Sequence, residues 1–139
     1  MEITEADKKL IQSAIDTCER LYKKDRHEVA AALRCKNGKV YTAIHIEAIY
    51  SGYADVCGEV AVICVAVADD QSEFDTIVAV AKNESGNYKI LEPCGRCRDV
   101  ISDFGRDINV IIGDINNPQK VKVEDLIPHK PFRSALSWN

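Results

Sequence analysis

The sequence predicts an α/β sandwich built on one central sheet. An amphipathic helix opens the chain, short β-branched runs then alternate with helical segments, and those runs are bounded by polar turns, as in strands of a covered sheet. In the first helix Ala6, Leu10, Ile11, Ala14, Ile15, Cys18, Leu21 and Tyr22 recur at three- and four-residue steps with charges between them. Thr4 and Asp7 have the spacing of a capping box, with Asp in place of the usual Glu or Gln. Runs 29–35 and 39–46 are β-rich and meet at Asn37-Gly38, a dipeptide that readily takes the positive φ angles of a tight hairpin. Run 60–68 is apolar throughout. Its β-branched content favours a buried strand, and periodicity does not separate that from a helix buried all round.

Runs 77–81 and 108–112 are expected to be central strands. Between them Pro93 suits the start of a helix that Gly105 ends after Phe104. Asn116-Asn117-Pro118 marks a turn, 121–123 a short edge strand, and 124–127 a helical turn stopped by Pro128.

The 139 residues suit one compact domain spanning 1–139. A hydrophobic share of 46% with 29% charged residues excludes disordered and collagen-like architectures. Eighteen Lys and Arg against 22 Asp and Glu leave a net charge of -4, which argues against nucleic acid as a partner, since many phosphate contacts need a basic face. No apolar run approaches the roughly 20 residues that cross a bilayer, so no membrane association is expected. The acidic start Met1-Glu2-Ile3-Thr4-Glu5 lacks the apolar core of a secretory signal. A cytoplasmic location is expected, with the six cysteines reduced. They then serve as core residues, metal ligands or catalytic thiols.

Two segments carry the chemistry: Cys57-Gly58-Glu59 and, after 33 residues, Pro93-Cys94-Gly95-Arg96-Cys97. At i and i+3 the sulfurs of Cys94 and Cys97 share one helix face, and a helix N-terminus favours the thiolate that binds metal. Soft thiolates point to zinc, and Cys57 supplies a third. Three protein ligands leave one position for water, as in catalytic zinc sites. Glu59 is then placed to take and deliver a proton. On an ideal helix positions i and i+2 point about 200° apart, so Cys57 and Glu59 converge only at an irregular helix start. Taken alone, Cys-x-x-Cys fits equally a redox pair or half of a structural zinc cluster. Cys18, Cys35 and Cys64 lie on apolar faces and are expected in the core, and His129 in solvent.

The combined spacing is that of the zinc nucleobase deaminases. The sequence resembles the cytidine deaminase family, and within it the bacterial blasticidin-S deaminase branch. The resemblance covers nearly the whole chain: the first helix, the hairpin, His45-Ile46-Glu47-Ala48, Cys57-Gly58-Glu59, Phe74-Asp75-Thr76-Ile77-Val78-Ala79-Val80, Pro93-Cys94-Gly95-Arg96-Cys97-Arg98 and Glu124-Asp125-Leu126-Ile127-Pro128. It implies a three-layer αβα sandwich with a central mixed sheet, in which run 60–68 is a buried helix. It also implies Zn2+ held by Cys57, Cys94 and Cys97, with Glu59 as proton shuttle and the Gly58 amide facing the pyrimidine carbonyl.

Glu47 matches the family's sugar-binding acid, and His45 stands where ordinary cytidine deaminases carry Asn. His27 replaces a Phe that stacks on the base. Gly58 stands where Ala is usual, Glu92 where Ser or Thr precedes the Pro-Cys, and Val60 where three-Cys relatives place Arg. Three thiolates leave a net negative site, and either Arg96 or Arg98 supplies the compensating charge. Phe132 and Trp138 match C-terminal aromatics that the family sets against substrate, in some members across a subunit boundary.

The implied activity is hydrolytic deamination of a free cytosine nucleoside (cytidine or deoxycytidine) or of a nucleoside antibiotic, blasticidin S, giving the uracil form and ammonia. The implied assembly is a homotetramer. Two alternatives are a catalytically inactive nucleoside binder of the same fold and a structural zinc-binding module.

Overall fold

The computed structural model describes residues 1–131. Helix α1 (Glu5–Leu21) leads into strands β1 (Val29–Cys35) and β2 (Val40–Ile44), and a 3-10 turn (Gly52–Ala54) precedes helix α2 (Gly58–Ala68). Strands β3 (Phe74–Lys82) and β4 (Tyr88–Leu91), helix α3 (Gly95–Phe104), strands β5 (Asn109–Asp114) and β6 (Asn117–Lys122), and the single turn α4 (Val123–Leu126) complete the described chain.

The six strands form one sheet in the order β2-β1-β3-β5-β6, with β4 also paired to β3. Its hairpins are antiparallel, while β3 and β5 run parallel across the crossover that contains α3, so the sheet is mixed. Alternation along the strands divides the core into two layers, because successive side chains leave a strand on opposite faces. Ala30, Ala32, Val78, Val80 and Ile111 pack with Leu10, Ile11, Ala14 and Cys18 of α1. Ala31, Leu33, Ile77, Ala79 and Val110 face the other way, against Val62, Ile63 and Ala66 of α2 and Cys97 and Ile101 of α3. This is the expected three-layer αβα arrangement.

The capping box is present: the Thr4 hydroxyl accepts from the Asp7 amide at 3.1 Å, and the Asp7 carboxylate accepts from the Thr4 amide at 3.0 Å. The same carboxylate, fully buried, also accepts from Arg34 of β1 at 2.8 Å and Lys120 of β6 at 2.7 Å. One residue thus closes a helix end and ties that helix to two strands. Gly38, at φ +89°, supplies the left-handed position of the β1–β2 turn.

Several sequence expectations need correction. Tyr88–Leu91 is a strand that the sequence reading left out; at four residues it is too short for a periodic signal. The β5–β6 hairpin turns at Ile115 and Asn116, so strand β6 begins at Asn117 and includes Pro118, while Val123 opens α4. An edge strand tolerates that proline because one side of it carries no ladder. Helix α3 starts after Cys94 rather than at Pro93. Run 60–68 is helical but not buried all round, since Val65 and Val67 are 43% and 46% exposed. Cys64 shares that outer face and is exposed, not in the core.

Candidate functional site

Helices α2 and α3 end against the sheet at neighbouring N-termini, and the cysteines occupy the junction. Cys57 and Cys94 are the N-cap residues of the two helices, both with extended backbone (φ -64°, ψ 148° and φ -66°, ψ 170°). A side chain at an N-cap turns back over the first turn, where Cys97 stands three residues into α3. The Cys94 sulfur lies 3.5 Å from that of Cys97 and 3.7 Å from that of Cys57, and the three ligand atoms all lie within 4.8 Å of one another. The N-cap also resolves the geometry of Cys57 and Glu59, since only Glu59 has entered the helix.

These separations fit zinc. Tetrahedral bonds of about 2.3 Å place sulfurs about 3.8 Å apart. The electrostatics fit as well. Burial pushes the Cys97 thiol up, and the adjoining Glu59 carboxylate pushes it further. Burial likewise raises Cys57, with Cys94 adding to the effect. For Cys94 burial is the largest single influence and opposes ionisation, yet the Cys97 and Arg96 amides and the neighbouring thiols carry it below the ordinary thiol value. A divalent cation would relieve this crowding of potential anions by fixing the ionised sulfurs.

Glu59 is buried, at 7% exposure. Burial pushes its carboxyl above the usual range, against a Cys97 contact that lowers it. A cavity of about 150 Å³ opens over these groups, lined by Val29, His45, Cys57, Gly58, Glu59, Leu91, Glu92 and Cys94. Gly58 packs closely on β1: a Cβ there would meet the Ala31 nitrogen and the Val29 carbonyl oxygen, each at 3.4 Å.

Of the sugar-side candidates, His45 stands in the cavity wall. The Glu28 amide donates to His45 Nδ1 at 3.0 Å, so the neutral ring carries its proton on Nε2. That atom lies 4.0 Å from the Glu47 carboxylate. Glu47 itself lies outside the cavity lining. His27 Nδ1 donates to the His45 carbonyl at 2.9 Å, bracing this wall rather than lining the cavity.

The two arginines separate clearly. Arg96 Nη2 is 3.5 Å from the Cys57 sulfur. Arg98 turns away to donate to the carbonyls of Pro93 at 2.7 Å and Leu126 at 3.1 Å, holding the Cys94 approach and α4 together. Phe132 and Trp138 lie outside the described residues.

Sequence reasoning left two lining residues, Val29 and Leu91, out of the site; Glu92, singled out as the substitution before the Pro-Cys, lines the cavity with them. The substitution at Glu92 was visible, but its place in the cavity depends on β4, the strand that was missed.

Comparison with known proteins agrees with this geometry. Residues 4–113 match the cytidine and deoxycytidylate deaminase zinc-binding region. A blasticidin-S deaminase of Bacillus cereus is 39% identical over 136 residues, covering 95% of this chain and 96% of the relative. The cytidine deaminase of Bacillus anthracis superposes with a TM-score of 0.75 at 21% identity, covering 88% of this chain and 86% of the other. That of Burkholderia pseudomallei gives 0.73 at 26%, covering 87% and 95%.

Proposed function

Because the chain belongs to the cytidine and deoxycytidylate deaminase family, we propose that it is a zinc-dependent hydrolytic deaminase of a free cytosine nucleoside or of a nucleoside antibiotic such as blasticidin S. The observation that carries this reading is Glu59: a buried carboxyl that contacts Cys97 of the three clustered thiols and lines the open cavity. A structural zinc module would hold its metal with four protein ligands. Among the described residues this cluster has three.

Cys57, Cys94 and Cys97 would hold the metal, and bound there it supplies the Lewis acidity that activates water. Glu59, raised by burial toward a pKa useful for both acid and base, takes a proton from the attacking water and passes it to ring N3. It then takes the second proton from the new C4 hydroxyl and gives it to the departing amine, so C4–N breaks, C4=O forms and ammonia leaves. Gly58 presents backbone to the base, while His45 Nε2–H and Glu47 supply a donor and an acceptor to the sugar. Arg96 offsets sulfur charge. Phe132 and Trp138 complete the substrate contacts in this reading.

A homotetramer is part of the same proposal. The outer face of α2, with Cys64, Val65 and Val67 exposed, and the exposed Ile49, Tyr50 and Tyr53 on the preceding loop are apolar surface that a second copy would cover. No described helix is long and apolar enough to cross a membrane.

The test is ammonia release from cytidine, deoxycytidine, cytosine, deoxycytidylate and blasticidin S by the zinc-loaded protein and by Glu59→Gln. The wild type should turn over at least one free nucleoside. The variant should retain zinc and lose at least the 10²–10⁴-fold that general acid–base catalysis contributes, roughly. Loss of zinc in that variant would make Glu59 a ligand and overturn the mechanism.

A further inference from the structure

One acid at the cavity has no part in the proton transfers. Glu92 follows β4 and precedes Pro93, and its side chain lines the cavity beside His45, Glu59 and Cys94 while remaining exposed to solvent. Its Oε1 accepts from the Gly113 amide of β5 at 3.2 Å. The carboxylate is therefore tethered at the cavity wall, and its partner among the described residues is an amide. The other ionisable groups lining the cavity, Glu59 and the thiols Cys57 and Cys94 (His45 aside), add no positive charge. Arg96 is engaged at the Cys57 sulfur.

We propose that Glu92 is a specificity-determining residue whose fixed negative charge favours substrates carrying an ammonium or guanidinium on the non-reacting arm and disfavours phosphorylated nucleosides. The inference rests on the deaminase reading of this site. A single carboxylate acts through the field it imposes on a charged substituent entering beside it, and low surrounding polarity strengthens that field. Because Glu92 is exposed, the discrimination is moderate and falls as salt screens it. A neutral nucleoside feels little of it, so the effect belongs to the ratio of efficiencies between substrates rather than to the chemical step.

The experiment compares kcat/KM for blasticidin S, whose arm bears ammonium and guanidinium groups, with neutral cytidine and anionic deoxycytidylate. It uses the zinc-loaded wild type, Glu92→Gln and Glu92→Asp, at low and high ionic strength. Gln keeps an oxygen for the Gly113 amide and removes only the charge; Asp keeps the charge. In Glu92→Gln the ratio of blasticidin S to cytidine should fall about three- to fivefold, the upper end of what an exposed, partly screened charge pair gives. The ratio of deoxycytidylate to cytidine should rise. Glu92→Asp should stay near the wild type, and added salt should bring the wild-type ratios toward those of Glu92→Gln. Calorimetric affinities for blasticidin S should follow the same order. Ratios in Glu92→Gln within twofold of the wild type, or insensitive to salt, overturn the proposal while leaving the deaminase assignment intact. A wild type that releases ammonia from none of the three substrates brings down both.

Discussion

Asp7 offers the sharpest test of how this fold is held together. Its carboxylate is fully buried and accepts from Arg34, Lys120 and the Thr4 amide. Burial alone would raise its pKa, but the bonds to Lys120, Thr4 and Arg34 outweigh it and bring the value from 3.8 down to about 2. That depression corresponds to about 2–3 kcal/mol of folding stability. The folded pKa lies below the unfolded one, so this stability is present above pH 3.8 and is lost as the pH falls toward 2. Asp7→Asn removes the charge while keeping the shape. Arg34 retains Asp75 at 2.7 Å, and the Asn oxygen can still accept from Lys120, so the cost should sit below the roughly 3–5 kcal/mol of a fully orphaned buried charge, at about 2–3 kcal/mol. Urea unfolding of both proteins across the acid range measures it. At neutral pH the variant should be weaker by that amount, and the gap should narrow as the pH falls from about 4 and close only below about pH 2, where the wild-type carboxyl is neutralised. Acid also strips metal from thiolates, but equally in both proteins, so the difference isolates Asp7. Equal stabilities at neutral pH, or a gap that persists in strong acid, would refute the reasoning.

Three further outcomes follow from the metal centre and its helices. Cys97→Ala should reduce bound zinc from about one per chain to none and abolish deamination, by metal analysis and ammonia assay; a zinc-loaded active variant removes Cys97 from the ligand set. Gly58→Ala should raise the melting temperature by at most a few degrees with activity retained, because the added methyl meets β1 at 3.4 Å, the near limit of ordinary contact, and at this first helical position Ala favours the helix by less than the roughly 1 kcal/mol of an interior one. A lower melting temperature would mean that β1 cannot accommodate even this methyl. Arg96→Ala should weaken zinc affinity about tenfold in chelator competition, whereas Arg98→Ala should act on stability through the freed Pro93 and Leu126 carbonyls. Equal zinc affinity in Arg96→Ala and the wild type would leave Arg96 without a tuning role.

The legible parts of the sequence were those that local chemistry specifies. Thr4 and Asp7 announced a capping box, and Asn37-Gly38 announced the first hairpin. Nothing local announced that Asp7 also meets Arg34 and Lys120, since those partners are 27 and 113 residues away in the chain. Strand β4 escaped for a related reason: Tyr88–Leu91 contains one buried residue, Ile90, and owes its extended form to pairing with β3. Composition misjudged α2 because it weighs apolar character without saying which side of a helix meets the sheet. Gly58, Val62, Ile63 and Ala66 do so, while Cys64 and Val65 do not. The cysteine spacing marked the metal centre, but the separation of Arg96 from Arg98 is a rotational matter, settled by two carbonyls that draw Arg98 away.

Placing the ligands at helix N-caps links the site to the fold at two points. Ser, Thr, Asp or Asn commonly stand at such positions and satisfy the first free amides of the helix. Here Cys57 and Cys94 occupy them, and neither α2 nor α3 has a side-chain hydrogen bond closing its start. A thiol is a weak acceptor, whereas a thiolate fixed by metal is an anion at the positive end of a helix dipole. Metal binding therefore supplies the electrostatic closure that the caps otherwise lack, at both helices together. These helices pack on one face of the sheet, whereas α1 on the opposite face is capped by Thr4 and Asp7 without any metal. Zinc removal should then loosen the α2–α3 layer before the α1 layer, and the Glu59 carboxyl with it, because Glu59 rides on the first turn of α2.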